Sequence, residues 1–225
     1  LYYIEVDSGH LIREGLPFSY DISDEEAENI KDHAAKRKVQ IVGYGVVKTA
    51  DWEKLFSFAK KMGMSYITCE PQEEDLEQIA RLAEEYDIRA NIHNSIKPGA
   101  YYDPVALKNK LENLSPKIGV CADLGNWKRS GFETIQALET INERLGSVHL
   151  KDLSPAQFDD TILSDCILNT GILDIDEAIM ILRNQNFKGY LAIEYISDQI
   201  DPFKDIDESI LFYDMITNRL FPDKE

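Results

Sequence analysis

The chain alternates short apolar runs with longer amphipathic stretches. The runs lack a helical period and predict buried strands, whereas the stretches repeat apolar residues three or four positions apart and predict helices that cover a core. Strict alternation of the two predicts a parallel α/β sheet. The seven predicted strands comprise residues 1–6, 39–47, 65–69, 89–93, 118–122, 147–150 and 190–195.

Capping and breaking residues mark the ends of the predicted helices. Ser23 and Glu26 form a capping box at one helix start, and Asp174 with Glu177 repeats that pattern. Gly146 is the expected C-terminal stop of another helix. The predicted helices comprise residues 23–37, 51–62, 73–86, 104–114, 132–145, 174–186 and 206–220, and a long loop is expected over residues 151–173.

These elements predict one domain over residues 1–225 with the fold of a (β/α)8 TIM barrel. Because seven strand–helix units are present and the chain begins Leu-Tyr-Tyr inside a predicted strand, we expect the first unit of the barrel to be missing from this sequence. An open, doubly wound sheet is the alternative. It is disfavoured because the sequence lacks the glycine-rich dinucleotide fingerprint of such sheets.

Composition narrows the class of protein. Hydrophobic residues make up 44% and charged residues 29% of the chain, as in a soluble globular protein, and no apolar run approaches the length of a membrane span. A net charge of -17 works against binding nucleic acid, because that affinity depends on neutralising phosphates. The three cysteines form no CxxC pair and suggest no disulfide scaffold. We expect a cytoplasmic protein, and a periplasmic location stays open because the N-terminus is not visible.

Ionisable residues stand at the ends of several predicted strands. In a parallel barrel all strands open toward one mouth, so such residues converge even when they are far apart in sequence. A mixed set of imidazoles and carboxylates suits Mn²⁺, Zn²⁺, Co²⁺ or Fe²⁺ better than Ca²⁺, and Mg²⁺ is a further option. The converging residues are Glu70, His93, Asp123, His149 and Glu194.

Each of these residues also has a purely structural explanation. A lone histidine at a strand end is commonly a hydrogen-bonded structural residue, and Glu70 could accept bonds at the start of the next helix. Asp123 could be a turn residue, and Lys151 with Asp152 could form a surface ion pair. The joint pattern over consecutive strands is harder to produce by chance, and it favours a functional polar site.

The most distinctive sequence blocks are IHNS, KIGVCADLGNWKRSG, SVHLKDL, NTGILDID and IEY. With nearly the whole chain around them, they resemble the sugar phosphate isomerase/epimerase group of the xylose isomerase-like barrels. The resemblance implies a divalent metal held by one residue from each of the last four strands. Those residues are His93, Asp123, His149 and Glu194, with Glu70 on the preceding strand.

Three positions depart from the pattern of that family. Ser95 stands where a second histidine is expected, Asn126 stands where a histidine follows Asp-x-Gly, and Asn169 replaces the first glycine of GTG. Asn126 still donates and accepts hydrogen bonds but cannot titrate, and Ser95 keeps a polar contact but loses a base. Because the ligand positions are intact, we expect the departures to affect activity or substrate choice more than metal binding.

The resemblance implies a metal-dependent sugar isomerase or epimerase. Glu70 and Glu194 are the expected carriers of the proton, and Lys151 is expected to stabilise the enolate or a substrate hydroxyl. We expect the pKa values of the two carboxyl groups to diverge, one lowered by the metal and the other raised by burial. The implied partner is a small-molecule sugar, and a homodimer is left open. Substrate contacts are expected from Ser95, Asn126, Trp127 and Tyr102.

Three other functions stay open at this point. A keto-sugar lyase or hydratase would use the same site, because the same enolate can expel a β-substituent. A non-catalytic sugar-binding protein is suggested by Ser95 and Asn126. An apurinic endonuclease of the same barrel architecture is disfavoured, because such enzymes use several metals and a net charge of -17 offers no footprint for DNA.

Overall fold

Seven parallel strands form one sheet, as the sequence predicts. The structure is a computed structural model, and it describes residues 2–7, 9–156, 159–196 and 202–222. The chain divides into two compact units, formed by Leu1–His93 with Lys110–Cys121 and by Asn94–Asn109 with Ala122–Glu225. That residues 1–225 form a single domain stays a prediction.

The first unit joins parallel strands through helices in the predicted order. Its elements are β1 (Tyr3–Val6), β2 (Leu11–Arg13), β3 (Leu16–Pro17), α1 (Asp24–Lys36), β4 (Gln40–Val47), α2 (Trp52–Met62), β5 (Tyr66–Cys69), α3 (Leu76–Tyr86) and β6 (Arg89–His93). Strand β1 pairs in parallel with β4, β4 with β5, and β5 with β6. Strands β2 and β3 form a small antiparallel hairpin that the apolar pattern did not predict.

The later elements continue the alternation of strands and helices. They are α4 (Pro104–Leu111), β7 (Ile118–Asp123), α5 (Leu124–Arg129), α6 (Thr134–Ile141), β8 (Leu145–Leu150), β9 (Asp152–Ala156), β10 (Asp159–Cys166), α7 (Ile175–Asn184), β11 (Tyr190–Ile193) and α8 (Phe203–Leu220). Strand β6 pairs in parallel with β7, and β8 with β11. The order of the large sheet is β1-β4-β5-β6-β7-β8-β11.

Burial explains why the apolar pattern identified the parallel strands. Every residue of β5 and of β7 is buried, so these strands contain no solvent-facing polar positions to break the run. On α2, the apolar residues Trp52, Leu55, Phe56 and Ala59 recur three or four positions apart and are buried. Among the described helices, none combines the length and the apolar composition that crossing a bilayer requires.

Two expectations about the second half of the chain were wrong, and one helix was missed. Gly146 does not end a helix but lies within β8, because α6 stops at Ile141 and a 3₁₀ turn over Asn142–Arg144 leads into the strand. The predicted long loop contains the antiparallel hairpin of β9 and β10, whose polar residues give no apolar run. The short helix α5 directly after β7 was also not predicted. Gly146 and the polar segment after β8 therefore lie near the ends of regular elements, as predicted, but they did not reveal which element follows.

The predicted capping box of α1 is confirmed. The backbone N–H of Glu26 donates to Ser23 Oγ, and the backbone N–H of Ser23 donates to Glu26 Oε2, each over 3.2 Å. Replacing Ser23 by alanine leaves the N–H of Glu26 without this acceptor and should lower the free energy of unfolding by about 1 kcal/mol. Urea denaturation measures the loss, and Ser23→Asp, which restores an acceptor, should recover most of it. Equal stability of Ser23→Ala and wild type would show that the cap contributes nothing.

Candidate functional site

Asp123 is fixed in place by its neighbours in sequence and by Asn94. It is the last residue of β7 and the N-cap of α5, where its Oδ1 accepts from the backbone N–H of Asn126 over 2.8 Å. The Asn94 side chain clamps the Asp123 backbone, because it accepts from the Asp123 N–H over 2.6 Å and donates to the Asp123 carbonyl over 2.9 Å. The Asp123 side chain is fully buried. This carboxylate is therefore held rigidly at a strand end.

Lys151 lies between two of the predicted metal ligands. Its Nζ is 3.2 Å from Asp123 Oδ2 and 3.0 Å from Glu194 Oε1, and only 2% of its side chain is exposed. Glu194 in turn contacts His149, with 2.7 Å between Glu194 Oε2 and His149 Nδ1. The residue that sequence reasoning assigned to the enolate is thus a buried cation in contact with the carboxylates.

A third carboxylate near Lys151 comes from Asp165 in the hairpin of β9 and β10, and it is itself paired with Arg129. Asp165 Oδ2 lies 3.8 Å from Lys151 Nζ, and Asp165 Oδ1 accepts from an Arg129 Nη over 2.5 Å. Burial alone would lower the pKa of Lys151, but the negative charges of Asp123, Glu194 and Asp165 raise it above its ordinary value. Lys151 is therefore charged at neutral pH.

Sequence reasoning missed both members of this supporting pair. Arg129 is next to another basic residue at the end of a short helix, and Asp165 lies in a polar hairpin, so both read as solvated surface positions. No signal in the sequence could have identified them, because the pairing joins residues from separate elements. The structure buries the Asp165 carboxylate almost completely, with 3% of its side chain exposed.

Glu70 and His93 form a second pair, in the first unit of the chain. Glu70 Oε1 lies 2.8 Å from His93 Nδ1, and Lys48 Nζ lies 3.6 Å from Glu70 Oε2. Burial would raise the pKa of Glu70, but the hydrogen bond and charge of His93, with the charge of Lys48, hold it below its ordinary value. Glu70 is therefore a carboxylate paired with an imidazole.

The pKa values of both candidate proton carriers lie below their ordinary values, so burial raises neither of them, and the lowering of one by a bound metal stays a prediction. Burial would also raise the pKa of Glu194, but the hydrogen bond and charge of His149, assisted by Lys151, lower it. Both carboxyl groups are thus held in the ionised form, Glu70 by His93 and Lys48, and Glu194 by His149 and Lys151. The expectation that burial would raise one of them was wrong, because each gained a cationic or imidazole partner.

The second unit brings three of the predicted metal ligands together. Asp123, His149 and Glu194 each offer one ligand atom, and these atoms lie within 4.8 Å of one another. Imidazole and carboxylate donors bind a shared transition-metal ion at about 2.0 to 2.2 Å, which places ligand atoms roughly 3 to 4 Å apart. The donor chemistry therefore suits one divalent ion, whose binding would hold the ligand atoms somewhat closer together than this upper limit. His93 belongs to the first unit, and its place as the fourth ligand stays a prediction.

Of the four predicted substrate contacts, two form hydrogen bonds within the chain and a third is fully buried. The Asn126 side-chain amide donates to the Asn94 carbonyl over 3.0 Å, and Ser95 Oγ accepts from the Tyr101 N–H over 3.1 Å. Trp127 is fully buried. Tyr102 alone of the four is neither buried nor bonded in this way, and its ring lies 6.1 Å from Phe132, centroid to centroid. A direct role in binding substrate stays a prediction for all four.

Asp152 is not a surface residue, so it does not form the surface ion pair with Lys151 that is its purely structural explanation. Its carboxylate is buried, with Oδ1 accepting from the N–H groups of Leu153 over 2.8 Å and Leu173 over 3.1 Å. Its Oδ2 accepts from the N–H of Gly171 over 2.8 Å. A Cβ at Gly171 would collide with this carboxylate, so only glycine fits there. Asp152 thus fixes the turn that leads into α7.

The departure at Asn169 has a backbone explanation. Its φ is +63°, in the left-handed region that glycine and asparagine tolerate better than other residues. Asparagine is therefore one of the residues that suit this backbone conformation where the family pattern has glycine.

Comparison with known proteins gives consistent matches. The model of the xylose isomerase-like TIM barrel family matches residues 48–215. No protein of curated function matches the chain. A solved but uncharacterized protein from Parabacteroides distasonis ATCC 8503 is 30% identical, with a TM-score of 0.70 over 95% of this chain and 87% of that one.

Two further solved structures are similar in fold. The IolI protein with a bound zinc atom is 14% identical, with a TM-score of 0.73 over 98% of this chain and 89% of that one. A D-psicose 3-epimerase from Clostridium cellulolyticum H10, solved with D-tagatose, is 13% identical, with a TM-score of 0.73 over 96% and 88%. Identities this low show a shared fold and nothing more about this chain.

Proposed function

This chain belongs to the xylose isomerase-like TIM-barrel family, which confirms the predicted fold, and from that premise we propose that it is a divalent-metal-dependent sugar isomerase or epimerase. The observation that supports the proposal most directly is the group of one imidazole and two carboxylates in the second unit, His149, Asp123 and Glu194, whose ligand atoms lie within 4.8 Å of one another. The similar IolI protein carries zinc, and the similar D-psicose 3-epimerase was solved with a sugar, which agrees with this class of chemistry. Membership of the family does not choose the reaction, because one fold serves many functions.

The proposed metal residues are His93, Asp123, His149 and Glu194, and the ion would be Zn²⁺, Mn²⁺ or Co²⁺. When bound, such an ion supplies Lewis acidity toward a carbonyl and its adjacent hydroxyl. The chain contributes the rigid placement of the ligands. Asn94 clamps Asp123, and the contact with His149 orients Glu194.

The proposed proton carriers are Glu70 and Glu194. Both have lowered pKa values, so each is ionised at neutral pH, which is the form that can accept a proton from a carbon next to a carbonyl, although the lowering also makes each a weaker base. His93 and Lys48 steady the ionised form of Glu70, and His149 steadies that of Glu194. Lys151 would balance negative charge that develops on a substrate oxygen, because its ammonium group is buried and charged.

Solvent hydrogen exchange tests this proposal directly. The protein, supplemented with Mn²⁺, Zn²⁺ or Co²⁺, is incubated in D₂O with a panel of ketohexoses, ketopentoses and their phosphates. An isomerase or epimerase incorporates deuterium at the carbon next to the carbonyl and forms a new sugar, both visible by NMR. Release of water or another leaving group would identify a lyase or dehydratase instead. Binding without exchange would support a non-catalytic sugar-binding protein.

Removing the charge of Glu70 should reduce turnover strongly. We expect Glu70→Gln to lower kcat by about 10²- to 10⁴-fold, the usual contribution of a positioned acid or base, with a smaller change in KM. Glu74→Gln, a neutral change at an exposed residue of the next segment, is the matched control and should leave kcat unchanged. Full activity of Glu70→Gln would remove Glu70 from the list of proton carriers.

A further inference from the structure

Lys151 is a fixed cation and not a flexible surface side chain. Only 2% of it is exposed, and its aliphatic stem passes directly over Gly125. A Cβ at Gly125 would lie 2.8 Å from Lys151 Cδ and 2.9 Å from Lys151 Cγ, so the stem fills the space that a larger residue would need. The ammonium group therefore stays where the stem places it.

The surrounding charges direct this ammonium group toward the metal ligands. Asp165 is the most distant of its three carboxylates, at 3.8 Å, and Asp165 already pairs with Arg129 at 2.5 Å. The closer contacts are to Glu194 Oε1 at 3.0 Å and to Asp123 Oδ2 at 3.2 Å. The shortest ion pairs of Lys151 are therefore with two of the carboxylates that would hold the divalent ion.

We propose that Lys151 is a resident counter-ion that competes with the divalent metal for Asp123 and Glu194 and so weakens metal binding. The inference rests on the proposed function to the extent that the same residues hold the metal. A divalent ion bound to these carboxylates lies close to the Lys151 charge, and like charges repel strongly where little water screens them. The same ammonium group also partly neutralises the negative charge of the two carboxylates, so they attract a divalent ion less strongly. The metal site is therefore tuned for exchange instead of tight retention.

The test is the metal affinity of Lys151→Met, measured by calorimetric titration with Mn²⁺ and with Zn²⁺. Methionine keeps the apolar stem over Gly125 and removes the charge. We expect the Kd for both ions to fall at least about tenfold relative to wild type. Thermal unfolding gives a second readout, because the rise in Tm at a fixed metal concentration should be larger in the variant.

Two further variants sharpen the test. Lys151→Gln also removes the charge, keeps a donor for the carboxylates and has no sulfur, so its tighter binding of metal cannot come from a thioether ligand. Lys128→Met is the matched control, because Lys128 is a partly exposed lysine that pairs with Glu133 at 3.6 Å. Its Kd should equal that of wild type. Circular dichroism establishes that each variant is folded before titration.

The outcomes separate this inference from the proposed function. Tighter binding in Lys151→Met and Lys151→Gln supports the inference, including the case in which wild type binds no metal and the variants do. Unchanged or weaker binding in the variants, with normal binding in wild type, overturns the inference and leaves the proposed function standing. Absence of binding in wild type and both variants overturns both.

Discussion

Asp123→Ala is expected to abolish metal binding and turnover together. Asp123 is fully buried and is one of the clustered ligands, so its removal takes away a negative charge that neighbouring water cannot replace. Wild type should carry about one transition-metal ion per chain by elemental analysis, and the variant well under a tenth of that. Turnover should fall at least about 10²-fold, because loss of a ligand costs more than loss of a supporting contact.

The same substitution also removes a helix cap, so its structural effect needs a separate control. Asp103 provides one, because its Oδ1 accepts from the N–H groups of Val105 and Ala106, each over 2.9 Å, and it is not one of the clustered ligands. Asp103→Ala should lose stability by about 1 kcal/mol and keep its metal. Asp123→Asn retains an oxygen acceptor for α5 and should still lose the metal.

Two results would contradict this prediction. Asp123→Ala with a full complement of metal would show that Asp123 is not a ligand. Wild type without metal, and without a rise in Tm on adding Mn²⁺, Zn²⁺ or Co²⁺, would shift the interpretation toward a metal-free relative or a binding protein. Either result leaves the fold assignment untouched, because the family match does not depend on the metal.

Asp152→Ala is expected to lower the free energy of unfolding more than any other substitution proposed for this protein. The carboxylate accepts three backbone N–H groups, from Leu153, Gly171 and Leu173, and alanine would leave these donors without their acceptor in a buried region. Each buried unsatisfied donor costs about 1 to 3 kcal/mol, so with three donors the free energy of unfolding should fall by at least roughly 3 kcal/mol. Urea denaturation monitored by circular dichroism measures this difference.

Two variants distinguish the hydrogen bonds of Asp152 from its volume and charge. Asp152→Asn keeps one carbonyl oxygen for the N–H groups of Leu153 and Leu173 and should lose about half as much stability as alanine. Glu139→Ala removes an exposed carboxylate from α6 and should change stability by less than about 0.5 kcal/mol. A loss in Asp152→Ala no larger than in Glu139→Ala would mean that the turn before α7 is held by other contacts.

Local patterns in the sequence predicted the strands and most helices well. Buried parallel strands read as unbroken apolar runs, and Ser23 with Glu26 marked a helix start, because both signals depend on neighbouring residues. The elements that were missed lack such signals. The hairpin of β9 and β10 is polar, and the 3₁₀ turn before β8 separates Gly146 from the helix it was expected to end.

The family, the order of the strands along the chain and the ionisable residues at the strand ends could all be predicted from the amino-acid sequence, because parallel strands carry their chemistry at one end. The contacts of those residues became visible only in the folded chain. The placement of Lys151 between Asp123 and Glu194, and the burial of Asp152 under its turn, depend on the paths of side chains from separate elements. No periodicity or spacing encodes such paths, because they are set by packing in three dimensions.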